Sequence, residues 1–285
     1  MRAALDSLQA EVQLAVAALR DDIRKLEHLA RYESAARILR NWTDDADDLS
    51  AHEARVLSQN GEDGVLAEIL RRLGRRRGRF VEIGAHAEEA NCLFLADALG
   101  FGGAFIDADA AQVARLQRKY ASRADVRLAC ARVTAKNVHE LLGSLGVQSE
   151  FDVLSIDIDG NDYWIWRALT DYSPAVVVIE HNAALPAGKP VVQRYDEAYE
   201  WDGTNQFGAS RLAMIELGRS KGYRLVHTDL TGVNLFFVME QLWPSEQDDA
   251  VVRPPNYFFR LLLHPQGDPS RLKSTPEAEE QDQPR

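Results

Sequence analysis

Cysteine is scarce in this 285-residue chain: there are two, Cys92 and Cys130, and neither belongs to a CxxC or Cys/His pattern. That excludes a disulfide framework, argues against structural zinc, and leads us to expect a reducing compartment. No apolar run approaches the roughly 20 residues of a membrane span, and the N-terminus lacks the apolar core of a signal peptide. A cytoplasmic protein without a membrane span is therefore the expectation. Positive charge is also short. With 33 Lys and Arg against 44 Asp and Glu, the net charge is -11 and the pI about 5.2, so a nucleic-acid partner has no global electrostatic support. The basic run Gly74-Arg-Arg-Arg-Gly-Arg79 is either a solvated turn or a phosphate holder.

Glycine and proline are absent from residues 1–40, which are rich in Ala, Leu, Arg and Glu. A long helix is expected there. Leu5, Leu8, Val12, Ala15 and Leu19, continued by Ile23, Leu26 and Ala30, make a heptad-like seam of about four repeats. It is either an oligomerisation helix, giving a homo-oligomer, or a helix packed on its own domain. Residues 41–56 read as an acidic linker, 57–264 as the main domain, and 265–285, rich in Pro, Glu, Gln and Ser, as a disordered tail. The run Tyr257-Phe-Phe-Arg-Leu-Leu-Leu263 is expected to pack back on the domain.

What the chain has in abundance is strand and helix in alternation. Strands over 80–84, 103–107, 126–130, 151–157 and 175–180 are separated by predicted helices over 88–99, 110–120, 134–145 and one short helix after residue 162. After a helix over 209–221, strands over 223–227 and 233–239 flank a short turn at 229–232. The fold class is α/β: a doubly wound, Rossmann-like, seven-stranded sheet with a C-terminal antiparallel hairpin and a long N-terminal helix.

Two strands end in acids. Phe151-Asp-Val-Leu-Ser-Ile-Asp157-Ile-Asp159-Gly-Asn-Asp162 and Ala175-Val-Val-Val-Ile-Glu180-His-Asn182 both break into polar loops at the carboxyl end, where open parallel sheets bind ligands. Neighbouring strands lie about 4.8 Å apart, and side chains alternate with period two. Asp157 and Asp159 on one strand, and Glu180 and Asn182 on the other, would then converge as a site for a hard divalent cation such as Mg²⁺, with Asp157, Glu180 and Asn182 as its ligands, a proton-transfer site, or both. The competing reading is that one or two of these acids cap the next helix. Asp159 and His181 are alternative general bases, although His181 alternates with Glu180 and reads equally as a packing residue.

On the other side, Gly84 closes the first strand in a turn that lets backbone approach a ligand, and Asp107 ends the second, placed to accept from ribose hydroxyls. The chain after Gly84 reads Ala-His-Ala-Glu88, so the dinucleotide spacing fails, and a cofactor with a ribose but no phosphate suits it better. The acceptor pocket is expected from residues 189–205, with Tyr195, Tyr199 and Trp201.

The set Ser58-Gln-x-Gly-Glu-Asp-Gly64, Phe80-Val-Glu-Ile-Gly84, Glu89-Ala-Asn91-Cys92, Phe105-Ile-Asp107, Leu154-Ser-Ile-Asp-Ile-Asp-Gly-Asn-Asp-Tyr163, Val178-Ile-Glu180-x-Asn182, Phe207-Gly-Ala-Ser210 and Gly232-Val-Asn234 resembles the FkbM-like branch of class I S-adenosylmethionine-dependent methyltransferases over roughly 57–240. The resemblance implies that Glu82, Gly84 and Asn91 surround the methionine moiety, that Asp107 binds the ribose, that Val133 lies near adenine and that Asp157 faces the sulfonium. It implies O-methylation, with a hydroxyl of a glycan or small-molecule metabolite as acceptor. The alternatives are a non-catalytic assembly protein and, less favoured, a metal-dependent hydrolase.

Overall fold

The computed structural model describes residues 48–243 apart from 205 and 230, together with scattered helical positions between 12 and 38. The apolar run 257–263 and the tail 265–285 lie outside the described residues. Seven strands form one sheet: β1 (Arg79–Ile83), β2 (Gly102–Asp107), β3 (Val126–Cys130), β4 (Glu150–Ile156), β5 (Ser173–Glu180), β6 (Tyr223–Thr228) and β7 (Asn234–Met239). Their order is β3-β2-β1-β4-β5-β7-β6, with β7 alone antiparallel to its neighbours. This is the Rossmann-like sheet with an antiparallel hairpin that the alternation predicts. The hairpin folds inward, so β7 rather than β6 lies against β5.

The unbroken apolar run of β5 is explained by its two neighbouring layers. Val176 and Val178 belong to one core with Val65, Leu66, Phe80, Leu93, Phe105 and Phe236. Val177 and Ile179 belong to the other with Val81, Ile83, Leu154, Ile165, Met214 and Phe237. Both faces are covered, so no position is left for a polar residue. Each Val or Ile side chain so buried contributes about 1.5–3 kcal/mol. The strand tips inherit a rigid base.

The helices are α1 (Glu62–Arg72), α2 (Leu93–Asp97), α3 (Ala110–Lys119), α4 (Val138–Ser144), α5 (Asp162–Ala168) and α6 (Arg211–Ser220). Two are shorter than their sequence predicts. The helix expected over 88–99 is the five residues of α2, because the buried Glu82 carboxylate takes the N–H groups of Asn91 at 2.7 Å and Cys92 at 2.9 Å and fixes the chain as a loop up to that point. The helix expected over 134–145 begins at Val138, because Thr134 and Asn137 exchange side-chain to backbone hydrogen bonds in a closed turn.

The expected linker over 41–56 is folded where it is described. Leu49, Ala54 and Val56 are buried, and Ala54 exchanges backbone hydrogen bonds with Gly61 and Gly64. Asp63 gathers this segment: its Oδ2 accepts from the N–H groups of Val56, Leu57 and Ser58 at 2.7–2.8 Å. The polar stretch 58–64 is thereby a rigid wall that carries Gln59 and Glu62 to the strand tips.

Candidate functional site

At the carboxyl ends of β1, β2 and β4 lies a cleft of about 450 Å³, within the range of small-molecule sites. Of the sequence-predicted residues, Glu82, Gly84, Asn91, Asp107, Val133, Asp157 and Asp159 line it, with Tyr199 and Trp201 from the long connection. Tyr195 lines no part of it; its ring sits against Trp164, and its hydroxyl accepts from the Ala135 N–H.

Gly84 has φ +92, and a Cβ there would overlap the carbonyl of Asp157. The glycine serves first to let the β1 turn lie against the tip of β4, where Asp157 N–H donates to Ile83 O at 3.0 Å. Asp107 is half-buried, and its carboxylate Oδ1 accepts from Asp109 N–H at 2.6 Å. Burial raises its carboxyl above the usual range. Asn91 is held by its own N–H on Glu82 and by its Nδ2 on Ser155 Oγ at 3.1 Å. Burial pushes Glu82 up to about 7, against the opposing pull of its two backbone donors.

The β4 tip is the most charged part. Among the described residues, the carboxylates of Asp157 and Asp159 receive no hydrogen bond and no ion pair, and Asp159 stands at φ +55, a conformation rare for a residue with a Cβ. Burial, then the charges of Asp159, Asp162, Glu62 and Glu82, hold the Asp157 carboxyl well above its ordinary value. Asp162 does not join them: its Oδ1 and Oδ2 take the N–H groups of Ile158 and Gly160 at 2.9 Å, which shapes the loop that presents Asp159. Asp162 does not cap the helix that follows it either: it is that helix's first residue and binds the loop before it.

Of the four residues expected to converge, the three acids do and Asn182, expected as a metal ligand, does not. Oxygens of Asp157, Asp159 and Glu180 lie within 4.8 Å of one another. Asn182 is turned into the loop, its Nδ2 donating to Phe207 O and its Oδ1 accepting from Ala184 N–H, both at 2.9 Å. The reason is that β5 ends at Glu180, so strand alternation no longer governs residue 182. His181 is likewise outside the cleft wall. It is buried, its Nδ1 meets Val233 O at 2.7 Å, and burial lowers its pKa to about 4, so it is neutral at pH 7.

Several lining residues carried no assigned role in the sequence: Glu62, His86, Arg132, Asn161 and Asn234. Glu62 and Asn234 lie in stretches that carry the family resemblance, which was their available signal. Asn234 stands opposite Glu180 in the β5–β7 pairing and donates from Nδ2 to Glu62 Oε1 at 2.7 Å. Arg132 binds the long connection, with Nη1 on Tyr199 O at 3.0 Å and Nη2 on Glu200 at 2.6 Å, and Lys136 pairs with Glu197. Gly160 packs under Tyr199, whose ring a Cβ would meet at 2.5 Å. Glu88, in the turn after Gly84, points out to Arg115.

No protein-family model and no curated protein matches the chain. Among solved structures it is similar to the CurJ carbon methyltransferase, at 11% identity over 80% of this chain and 70% of that one, with a TM-score of 0.42. It is similar to the Methanococcus jannaschii fibrillarin pre-rRNA processing protein, at 14% identity over 64% and 76% of the two chains, TM-score 0.41. It is also similar to the N-terminal domain of EvdMO1 with SAH bound, at 13% identity over 74% and 96%, TM-score 0.39. Each is a likeness at low identity, and the functional reading rests on the cleft itself.

Proposed function

We propose that the protein is an S-adenosylmethionine-dependent O-methyltransferase of the FkbM-like branch, acting in the cytoplasm on a hydroxyl of a saccharide or secondary metabolite. The observation that carries this is one cleft lined by a ribose-type acid, Asp107, and by Asp157 and Asp159, whose carboxylates pair with no Lys, Arg or His among the described residues. The lining suits the cofactor. Unpaired carboxylates favour a sulfonium and an ammonium over a phosphate, and Ile106, Ala131 and Val133 offer an apolar place for a base.

When bound, S-adenosylmethionine supplies an electrophilic methyl group. In this reading Asp107 accepts from the ribose hydroxyls, and Asn91, fixed by Glu82 and Ser155, keeps the methionine end in register. The acceptor hydroxyl lies at the β4 tip and gives its proton to the carboxylate of Asp157 or Asp159. A carboxyl held above its ordinary range is a better base than a solvated one. Tyr199 and Trp201 close the cleft over the acceptor and align it.

Calorimetry with S-adenosylmethionine and its demethylated product tests the reading. Binding is expected, weakened at least tenfold or so by Asp107→Ala, and Asp157→Ala is expected to abolish turnover while binding persists. Absence of binding for both compounds would overturn it. A second reading, an assembly protein that oligomerises through its N-terminal helix, is favoured by one observation: Val12, Val16, Leu19, Ile23 and Leu26 are 42–66% exposed at alternating four- and three-residue spacing. Light scattering decides it, a mass of one chain overturning the oligomer.

A further inference from the structure

Two hydrogen-bond acceptors on the cleft wall have no donor. Oδ1 of Asn161 and Oδ1 of Asn234 are buried without a partner among the described residues, and the two side chains belong to residues only 8% and 3% exposed. Neither amide can be turned round to relieve this. Asn161 Nδ2 already donates to Asp196 O at 2.8 Å and Asn234 Nδ2 to Glu62 Oε1 at 2.7 Å, so a flip would set oxygen against oxygen. A buried acceptor left unpaired is a standing cost to the fold, and a ligand that brings a donor removes it.

The two amides reach the cleft from different layers. Asn161 immediately precedes α5, whose Ile165 packs in the core on one face of the sheet. Asn234 binds Glu62 at the start of α1, whose Val65 and Leu66 pack in the core on the other face. Ile156 pairs with Ile179 and Glu180 with Asn234, so two strand spacings, about 10 Å, separate Asn234 from the β4 tip, while Asn161 is within that tip's own loop. A molecule lying across the tip can therefore give one donor to each amide oxygen. The charge of the wall restricts what else it carries. Glu62, Asp157 and Asp159 line the cleft and pair with no Lys, Arg or His among the described residues, and Arg132, which also lines it, is engaged by Glu200 and the carbonyl of Tyr199. A phosphate or carboxylate brought to the tip meets like charge, whereas hydroxyl and amine donors meet acceptors.

We propose that Asn161 and Asn234 determine which acceptor the cleft takes. Their amide oxygens accept hydrogen bonds from two donors of a polyhydroxylated molecule that lies across the β4 tip. The class admitted is a neutral or amine-bearing polyol, and phosphorylated or carboxylated polyols are rejected. A molecule that lacks one of the two donors leaves a buried oxygen unpaired, which is how a site built on hydrogen bonds discriminates against an analogue missing a hydroxyl. That this polyol is the methyl acceptor rests on the methyl-transfer reading; its binding by the two amides does not.

The test is saturation-transfer NMR on the full chain with methyl α-glucoside, glucosamine and glucose 6-phosphate as probes at millimolar concentration, each with and without the demethylated cofactor. The first two are expected to bind, and the third to bind at least about tenfold more weakly. Asn161 makes no side-chain cap bond to α5, so Asn161→Ala removes the acceptor without unseating the helix. It should weaken the glucoside roughly tenfold while the demethylated cofactor binds as before. One monodeoxy analogue of the glucoside should bind the parent about tenfold more weakly than the glucoside and lose nothing further in Asn161→Ala, the coupling that a direct hydrogen bond produces. Asn234→Ala should behave likewise toward a different monodeoxy analogue, with thermal melting separating lost binding from lost folding. Glucose 6-phosphate binding as tightly as the glucoside overturns the charge selection. Additive losses for every analogue, or no binding by the glucoside and glucosamine, overturn the amide pair. If these probes bind and the demethylated cofactor does not, methyl transfer falls and the polyol site stands; if the cofactor binds and they do not, the converse holds.

Discussion

Gly84 and Asp157, 73 positions apart in the chain, are in backbone contact: the glycine Cα lies against the Asp157 carbonyl with no room for a methyl group. Gly84→Ala therefore meets two penalties, the positive φ and the overlap. It is expected to lose about 1–3 kcal/mol of stability by urea unfolding. Cofactor affinity should fall as well, because the tip carrying Asp157 must move. A variant as stable as the parent would show that the two turns are not in contact.

The Glu62–Asn234 hydrogen bond ties the polar stretch before α1 to the start of β7. Asn234→Ala leaves the buried Glu62 carboxylate short of a donor, and a loss of about 1–3 kcal/mol is expected. Asn234→Asp should be worse, since it sets a third acid beside Glu62 and Glu180. Denaturant midpoints of the two variants rank the effects; equal midpoints would refute the charge argument.

Arg132 is half-exposed, and its pair with Glu200 contributes about 1 kcal/mol or less to stability. Its larger effect is on the residence of whatever the cleft holds, because it also binds the carbonyl of Tyr199. Arg132→Ala is predicted to leave the melting temperature nearly unchanged and to raise the dissociation rate of the demethylated cofactor severalfold, an effect that 1 M salt, with its screening length of about 3 Å, should imitate in the parent. Stopped-flow measurement at two salt concentrations checks both statements.

Stability should fall as pH rises from about 4.5 to 7. Glu82 and Asp229, both buried, are held up to about 7, and Asp63 up to about 6. Burial is the main cause in each, joined for Asp229 by the charge of Glu62. In this window the folded chain keeps protons that the unfolded chain has released, so raising the pH favours unfolding. Asp125 and Glu68 are shifted the other way, and their loss of stability belongs to more acidic solution. Thermal melts at intervals across the window measure the slope. A melting temperature that climbs toward neutrality would contradict the burial of these acids.

Much of the candidate site was legible in strand ends. Asp107 and Asp157 close buried apolar runs, and alternation is reliable while a strand lasts. It failed one residue past the end of β5, where Asn182 turns into the 183–207 loop and His181 is buried against Val233. Helix starts were misplaced where a side chain competed for backbone donors, as Glu82 does before α2 and Thr134 with Asn137 before α4.

Local patterning alone determined the α/β alternation, the buried central strands, the hairpin and the acids at their tips, because burial on two faces and turn chemistry leave marks within ten residues. Only the tertiary structure decided that β7 enters between β5 and β6, that Asn182 leaves the group in which Asp157, Asp159 and Glu180 meet, and that Glu62 and Asn234 line the cleft with Asp157 and Asp159. Those are contacts between segments up to 172 residues apart, and they depend on strand order and loop direction, which no short-range period records.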